Sequence, residues 1–162
     1  LAAAALAMLV ADLAPATADP DDLGARGRCQ FAVGMALPQL AMVGVGLVAG
    51  LRHQLGGGLG VAHGEASTIV LPHVIRWNRP FCEPALARAA AAAGVEGPDG
   101  LVAAIEALTV RLGLPTRLRD VGVVAEALPG IADHVLGDGA VATNPRPVTD
   151  ATEVLEVLHA AW

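Results

Sequence analysis

His53 and His63 are the residues whose type and spacing could do chemistry: two imidazoles ten positions apart, with the glycine cluster Gly56-Gly57-Gly58-Leu59-Gly60 between them. On one unbroken helix, a rise of about 1.5 Å per residue would set them roughly 15 Å apart, too far to share a centre. A metal needs nitrogen ligands at about 2.0–2.1 Å, so the backbone must turn back between the two. Glycine is the residue type that permits such a turn. The spacing is compatible with a shared site without being specific to one, and two unrelated histidines remain the competing reading. His73 follows Pro72 in an apolar stretch and reads as a hydrogen-bonded core histidine. His134 and His159 fall on amphipathic stretches and read as surface residues.

The elements that must position this pair read as helices. Residues 1–13 read as a helix ended by Pro15, and Asp19-Pro20-Asp21-Asp22 supplies a cap, a first-turn proline and acids at the positive dipole end. A long apolar helix is expected to about Gly44, with a second stretch to about Leu55, where the glycine cluster should break it. His63 to Trp77 reads as a helix closed by Asn78-Arg79-Pro80, with Pro72 predicting a kink or break. Shorter helices are expected over 83–93, 99–112 and 123–136, the first two closed by Gly94 and Gly113. An irregular stretch centres on Asn144-Pro145-Arg146-Pro147. Thr149 opens the last helix, with caps among Thr149–Thr152 and an apolar face of Val154, Leu155, Leu158 and Trp162. No alternating strand pattern and no internal repeat is present, so the fold class is all-α.

Composition agrees. Hydrophobic residues make up 54% of the 162 and aromatics 2%, with no Tyr, so the core is built from Ala, Leu and Val, which suits closely packed helices. The net charge of -6, with scattered arginines and no lysine, excludes a nucleic-acid partner of the phosphate-binding kind. Cys29 and Cys82 lack metal or redox spacing and read as reduced thiols of a cytoplasmic protein. Leu1 to Val10 resembles a signal segment ending near Ala16-Thr17-Ala18, but it has no basic start and begins with Leu, which suggests a chain truncated at its N-terminus. Residues 29–51 carry no charged residue and are long enough to span a bilayer. Pro38, Gly34, Gly44 and Gly46 interrupt them, so a buried central helix is the stronger reading.

The run from Gly50-Leu-Arg-His53 through the glycines to His63-Gly-Glu-Ala-Ser and on to Leu-Pro-His73 and Asn78 resembles the signature of iron-containing alcohol dehydrogenases. Its Leu-Gly-Gly and His-Gly-Glu-Ala-Ser forms are closest to maleylacetate reductases. Leu114-Pro-Thr-Arg-Leu-Arg-Asp-Val-Gly122 and Thr143-Asn-Pro-Arg-Pro147 are similar to the same family's C-terminal half. The resemblance covers essentially the whole chain. It implies that residues 1–162 form a single helical domain, a bundle corresponding to the C-terminal domain of a two-domain dehydrogenase. An N-terminal α/β domain, absent here, would bind NAD(P). A divalent metal, iron or zinc, would polarise the oxygen of a small carbonyl or alcohol substrate while a hydride passes to or from the nicotinamide. A homodimer is compatible with this arrangement. His63 matches the last histidine ligand of the metal. Aligned without gaps, His53 falls on a non-ligand cleft histidine, the candidate for polarising the carbonyl and shuttling protons. Ala49 then stands where another ligand is expected, and alanine cannot coordinate. A competing alignment puts His53 on the ligand position at the cost of deleting one helical turn. A non-catalytic structural or interaction module is the alternative function.

Overall fold

Gly44 and Gly60 take the left-handed backbone, at φ 74° and 72°, and mark where two helices end. A side chain is rarely held there, so glycine is the residue that lets each helix stop and the chain reverse. The computed structural model describes residues 1–162 and contains helices, short 3₁₀ turns and no strand: α1 (Ala2–Ala18), α2 (Leu23–Val43), α3 (Leu47–Leu59), α4 (His63–Ala92), α5 (Gly97–Arg111), α6 (Leu128–Val135) and α7 (Ala151–Ala161). The all-α expectation holds.

Several boundaries differ from expectation, each for a local reason. Pro15 sits inside α1 rather than ending it; the helix closes instead at Asp19, whose N–H donates to the Pro15 carbonyl. Asp22, not Asp19, caps α2, accepting the Ala25 amide at 2.9 Å. Gly56, Gly57 and Gly58 remain helical, and the break falls later, at Gly60. The break expected at Asn78-Arg79-Pro80 falls two residues later, at Cys82 (φ −144°), where α4 kinks; the stretch from there to Ala92 is the separate helix expected over 83–93. Pro72 lies buried within it without a break. α7 opens at Ala151 rather than Thr149, and Asp150, within the expected capping stretch, accepts the Thr152 amide at 2.8 Å. No single helix is long and apolar enough to cross a membrane, because Gly44–Gly46 interrupts the apolar run.

The chain divides into two compact units. One comprises Leu1–Gly44 and Glu83–Gly113. Within it α1 packs on α2 through small residues, with Ala5, Ala25 and Ala32 at 2% exposure or less. A forked ion pair joins the two helices: Arg28 Nε and Nη2 donate to the Asp12 carboxylate at 2.7–3.0 Å. That pair holds the Asp12 carboxyl below the usual carboxylate range, chiefly through the hydrogen bond, against an opposing push from burial.

The other unit comprises Val45–Cys82 and Leu114–Trp162 and holds the main apolar cluster. Leu47, Leu51 and Leu55, one turn apart along α3, are fully buried with Ile69, Val70, Leu118, Leu128, Val135, Val154 and Leu158. α3 packs on α6 and on the 3₁₀ turn Gly139–Thr143, and α6 packs on α7. Trp162 closes this unit by donating its indole N–H to the Val123 carbonyl at 2.9 Å.

Candidate functional site

The site is built on α3 and the first turn of α4. Both ends of α3 are set by close approaches. At its start, a Cβ on Gly46 would fall 2.6 Å from Asn144 Oδ1. That oxygen accepts the Leu47 N–H at 2.9 Å, capping the helix from 97 positions away in the chain. Asn78 holds Asn144 in place, accepting its Nδ2–H at 2.7 Å and donating to its Oδ1 at 3.2 Å. Asn144 also donates to the Arg146 carbonyl at 2.7 Å. Arg146 in turn lies 4.2 Å over the Trp77 ring and pairs with Glu153 at 2.8 Å. Asn144, Pro145 and Arg146 therefore fix a loop and a helix end.

One turn into α3, a Cβ on Gly50 would lie 2.8 Å from Val141 Cγ1 and 2.9 Å from Val135 Cγ2. The bare glycine lets α3 close on α6 and the following turn. Positions 53 and 54, one turn further along the same face, then meet Asp138. His53 Nδ1 lies 2.9 Å from Asp138 Oδ2, and Gln54 Nε2 donates to the same oxygen at 3.5 Å. The other oxygen, Oδ1, accepts the Ala140 amide at 2.9 Å and caps the 3₁₀ turn. The Ala140 amide first, then His53 and Gln54, hold the Asp138 carboxyl below the usual range, with burial opposing them.

At the C-terminal end of α3 the chain turns at Gly60, and α4 opens with His63 itself. The His63 ring lies over Gly56, where a Cβ would come within 3.0 Å of its Cε1 and Nδ1. The expected turn between the histidines is present, and its glycines divide the work: Gly60 supplies the reversal and Gly56 the room. The His53 and His63 ring centroids are 6.5 Å apart and tilted by 47°. Both side chains are exposed.

Ala49 lies one turn before His53 on α3 and is 6% exposed. No group of three or more His, Cys, Asp or Glu side chains comes together as a metal-holding set. The donors at this junction are two imidazoles, and Ala49, one turn before His53, offers none. By themselves they do not fit a four-coordinate metal. His73 is half-buried on α4, about 15 Å along the helix from His63, and does not join the pair. His134 and His159 are exposed on α6 and α7, as expected. Asp138 and Gln54 are the residues that sequence reasoning missed. Gly-Asp-Gly at 137–139 signals a capped turn, but nothing local pairs it with a histidine 85 positions earlier.

Fold and site together define a helical domain that presents a carboxylate-anchored histidine beside a second histidine at a helix junction. Residues 1–162 match the C-terminal part of the Fe-containing alcohol dehydrogenase family, and the chain belongs to that family. It is 37% identical over 141 residues to the lactaldehyde reductase of Escherichia coli (strain K12), covering 82% of this chain and 36% of that protein. It is 36% identical over 141 residues to maleylacetate reductase 1 of Cupriavidus pinatubonensis, covering 86% of this chain and 38% of the relative. The crystal structure of a 1,3-propanediol oxidoreductase superposes with a TM-score of 0.92 at 30% identity, over 99% of this chain and 44% of that one. The chain thus spans less than half the length of the relatives it matches.

Proposed function

We propose that residues 1–162 act as the helical C-terminal domain of a cytoplasmic, NAD(P)-dependent oxidoreductase that moves a hydride between the nicotinamide and a small carbonyl or alcohol, in the manner of maleylacetate or lactaldehyde reductases. Family membership supports the reaction class, and the observation that carries the reading is the anchored His53 facing His63 at the junction of α3 and α4. In reduction, carbonyl, NAD(P)H and a proton give alcohol and NAD(P)⁺; His53 is the group of this chain that supplies the proton, and it takes one back in oxidation. NAD(P) would be held by a preceding domain. His63 is the one family metal position retained with a donor. Because Ala49 withholds another, no step is assigned to a metal.

The test is NAD(P)H oxidation by the enzyme carrying this chain, with maleylacetate and lactaldehyde as substrates. Turnover is expected, and His53→Asn should lower kcat by about 10²–10⁴-fold. Ala49, which stands where the gapless alignment expects a ligand and offers no donor, favours a second reading, a non-catalytic helical module. No turnover with either substrate, or turnover unchanged by His53→Asn, would decide for that reading.

A further inference from the structure

Asp138 performs more work than its turn requires. Capping the 3₁₀ turn Gly139–Thr143 uses one side-chain oxygen, Oδ1, on the Ala140 amide at 2.9 Å, and Asn or Ser caps such turns as well. The second oxygen is turned the other way, onto His53 Nδ1 at 2.9 Å, with Gln54 steadying it at 3.5 Å. The Asp138 side chain is 14% exposed, whereas that of His53 is 43% exposed. A largely covered carboxylate fixed at one oxygen by backbone thus holds an open imidazole by the other.

We propose that Asp138 is a positioning residue for His53, accepting the Nδ1 proton so that the neutral ring is locked as its Nδ1–H tautomer and Nε2 is left as the nitrogen that exchanges a proton. A carboxylate accepts hydrogen bonds and cannot donate one, so the partnered ring nitrogen must carry the hydrogen. An unpartnered neutral imidazole has no such constraint. The bond also fixes the ring plane, which an exposed side chain would otherwise not keep. Three features converge on this arrangement: Gly50 brings α3 close enough, Gly137 and Gly139 flank the aspartate, and Asn144 caps the helix that carries His53. Nothing in it depends on a metal.

The consequence for turnover rests on the function proposed above; the tautomer does not, so the two can fail separately. Two-bond ¹H–¹⁵N correlation spectra of the imidazoles in this chain, recorded at mildly alkaline pH, distinguish the tautomers directly. His53 is expected as Nδ1–H, and a wild-type His53 found as Nε2–H would overturn the proposal with no variant needed. Asp138→Asn keeps an oxygen for the Ala140 amide but presents an N–H to His53, so the ring should switch to Nε2–H with helix content retained. A folded variant with an unchanged tautomer would also refute it. If the enzyme turns over, Asp138→Asn should lower kcat by about 10–100-fold, with KM changed far less. An inactive enzyme whose His53 is Nδ1–H would sink the oxidoreductase reading and leave the positioning role standing.

Discussion

Four glycines in α3 offer an internal comparison of backbone preference against packing. Glycine in a helix interior costs about 1 kcal/mol relative to alanine, so Gly→Ala stabilises wherever the new methyl has room. At Gly57 it has room, since nothing lies within 4 Å of the added Cβ. Gly57→Ala should therefore raise the unfolding free energy by about 0.5–1 kcal/mol. At Gly50 the same methyl meets Val141 Cγ1 at 2.8 Å and Val135 Cγ2 at 2.9 Å. Both neighbours are short β-branched side chains, 8% and 0% exposed, that cannot swing aside as a lysine could. Overpacking a filled core costs about 1–3 kcal/mol, and the helical gain offsets about 1 of it. Gly50→Ala should thus lie about 1–3 kcal/mol below Gly57→Ala in stability, on the destabilised side of the parent or close to it. Urea denaturation of the parent and both variants, followed by far-UV circular dichroism, measures the gap. Adding Val141→Ala to Gly50→Ala should recover part of the loss, a coupling expected of groups in contact. Equal stabilisation by the two alanines would mean that α3 does not close on α6 and the Gly139–Thr143 turn, and the His53–Asp138 contact would fall with that packing.

Two further outcomes follow from the same geometry. Asn144→Ala removes the acceptor of the Leu47 N–H and both partners of the Asn78 amide, each orphaned buried group costing about 1–3 kcal/mol; the thermal midpoint should fall, and an unchanged midpoint would show the asparagine pair to be dispensable. The Asp12–Arg28 pair sets a pH dependence. Because the folded carboxyl titrates below its ordinary value of 3.8, its stabilisation is fully present above that pH and is lost as pH falls through the depressed folded value. Thermal midpoints of the parent should therefore drop more steeply below pH 4 than those of Asp12→Asn, and parallel curves would refute the assignment.

What could be read from the sequence divides along physical lines. Helix content was legible because periodicity and caps are local: Gly94 and Gly113 take positive φ beside the ends of α4 and α5 where expected. The turn between His53 and His63 was legible because chemistry demanded it and glycine permits it. Its position was not. Three consecutive glycines look like a break, yet Gly56–Gly58 stay helical because the flanking Leu51 and Leu55 are fully buried and hold the turn they belong to. Prolines misled for a related reason. Pro15 and Pro72 each give up one helical hydrogen bond, and packing around the buried Pro72 retains the helix regardless. Asp138, Gln54 and the capping role of Asn144 were illegible. Their partners lie 85, 84 and 97 positions away, and no local pattern encodes such pairings.

That division also separates the two histidines. His63 is placed by what lies within seven residues of it: the Gly60 reversal, the room over Gly56 and its own position as the first residue of α4. His53 is placed from a distance, by Asp138 on its ring, by Val135 and Val141 against Gly50, and by Asn144 at the head of its helix. Every one of those distant contacts comes from residues 135–144. This ten-residue stretch, which has little regular structure beyond the end of α6 and one 3₁₀ turn, therefore governs one imidazole and not the other. The two histidines are thus placed by different means, one by the local backbone and one through a carboxylate. Alanine at position 49 fits the same division. With no donor one turn before it, His53 has Asp138 as its strong partner within this chain, through Nδ1.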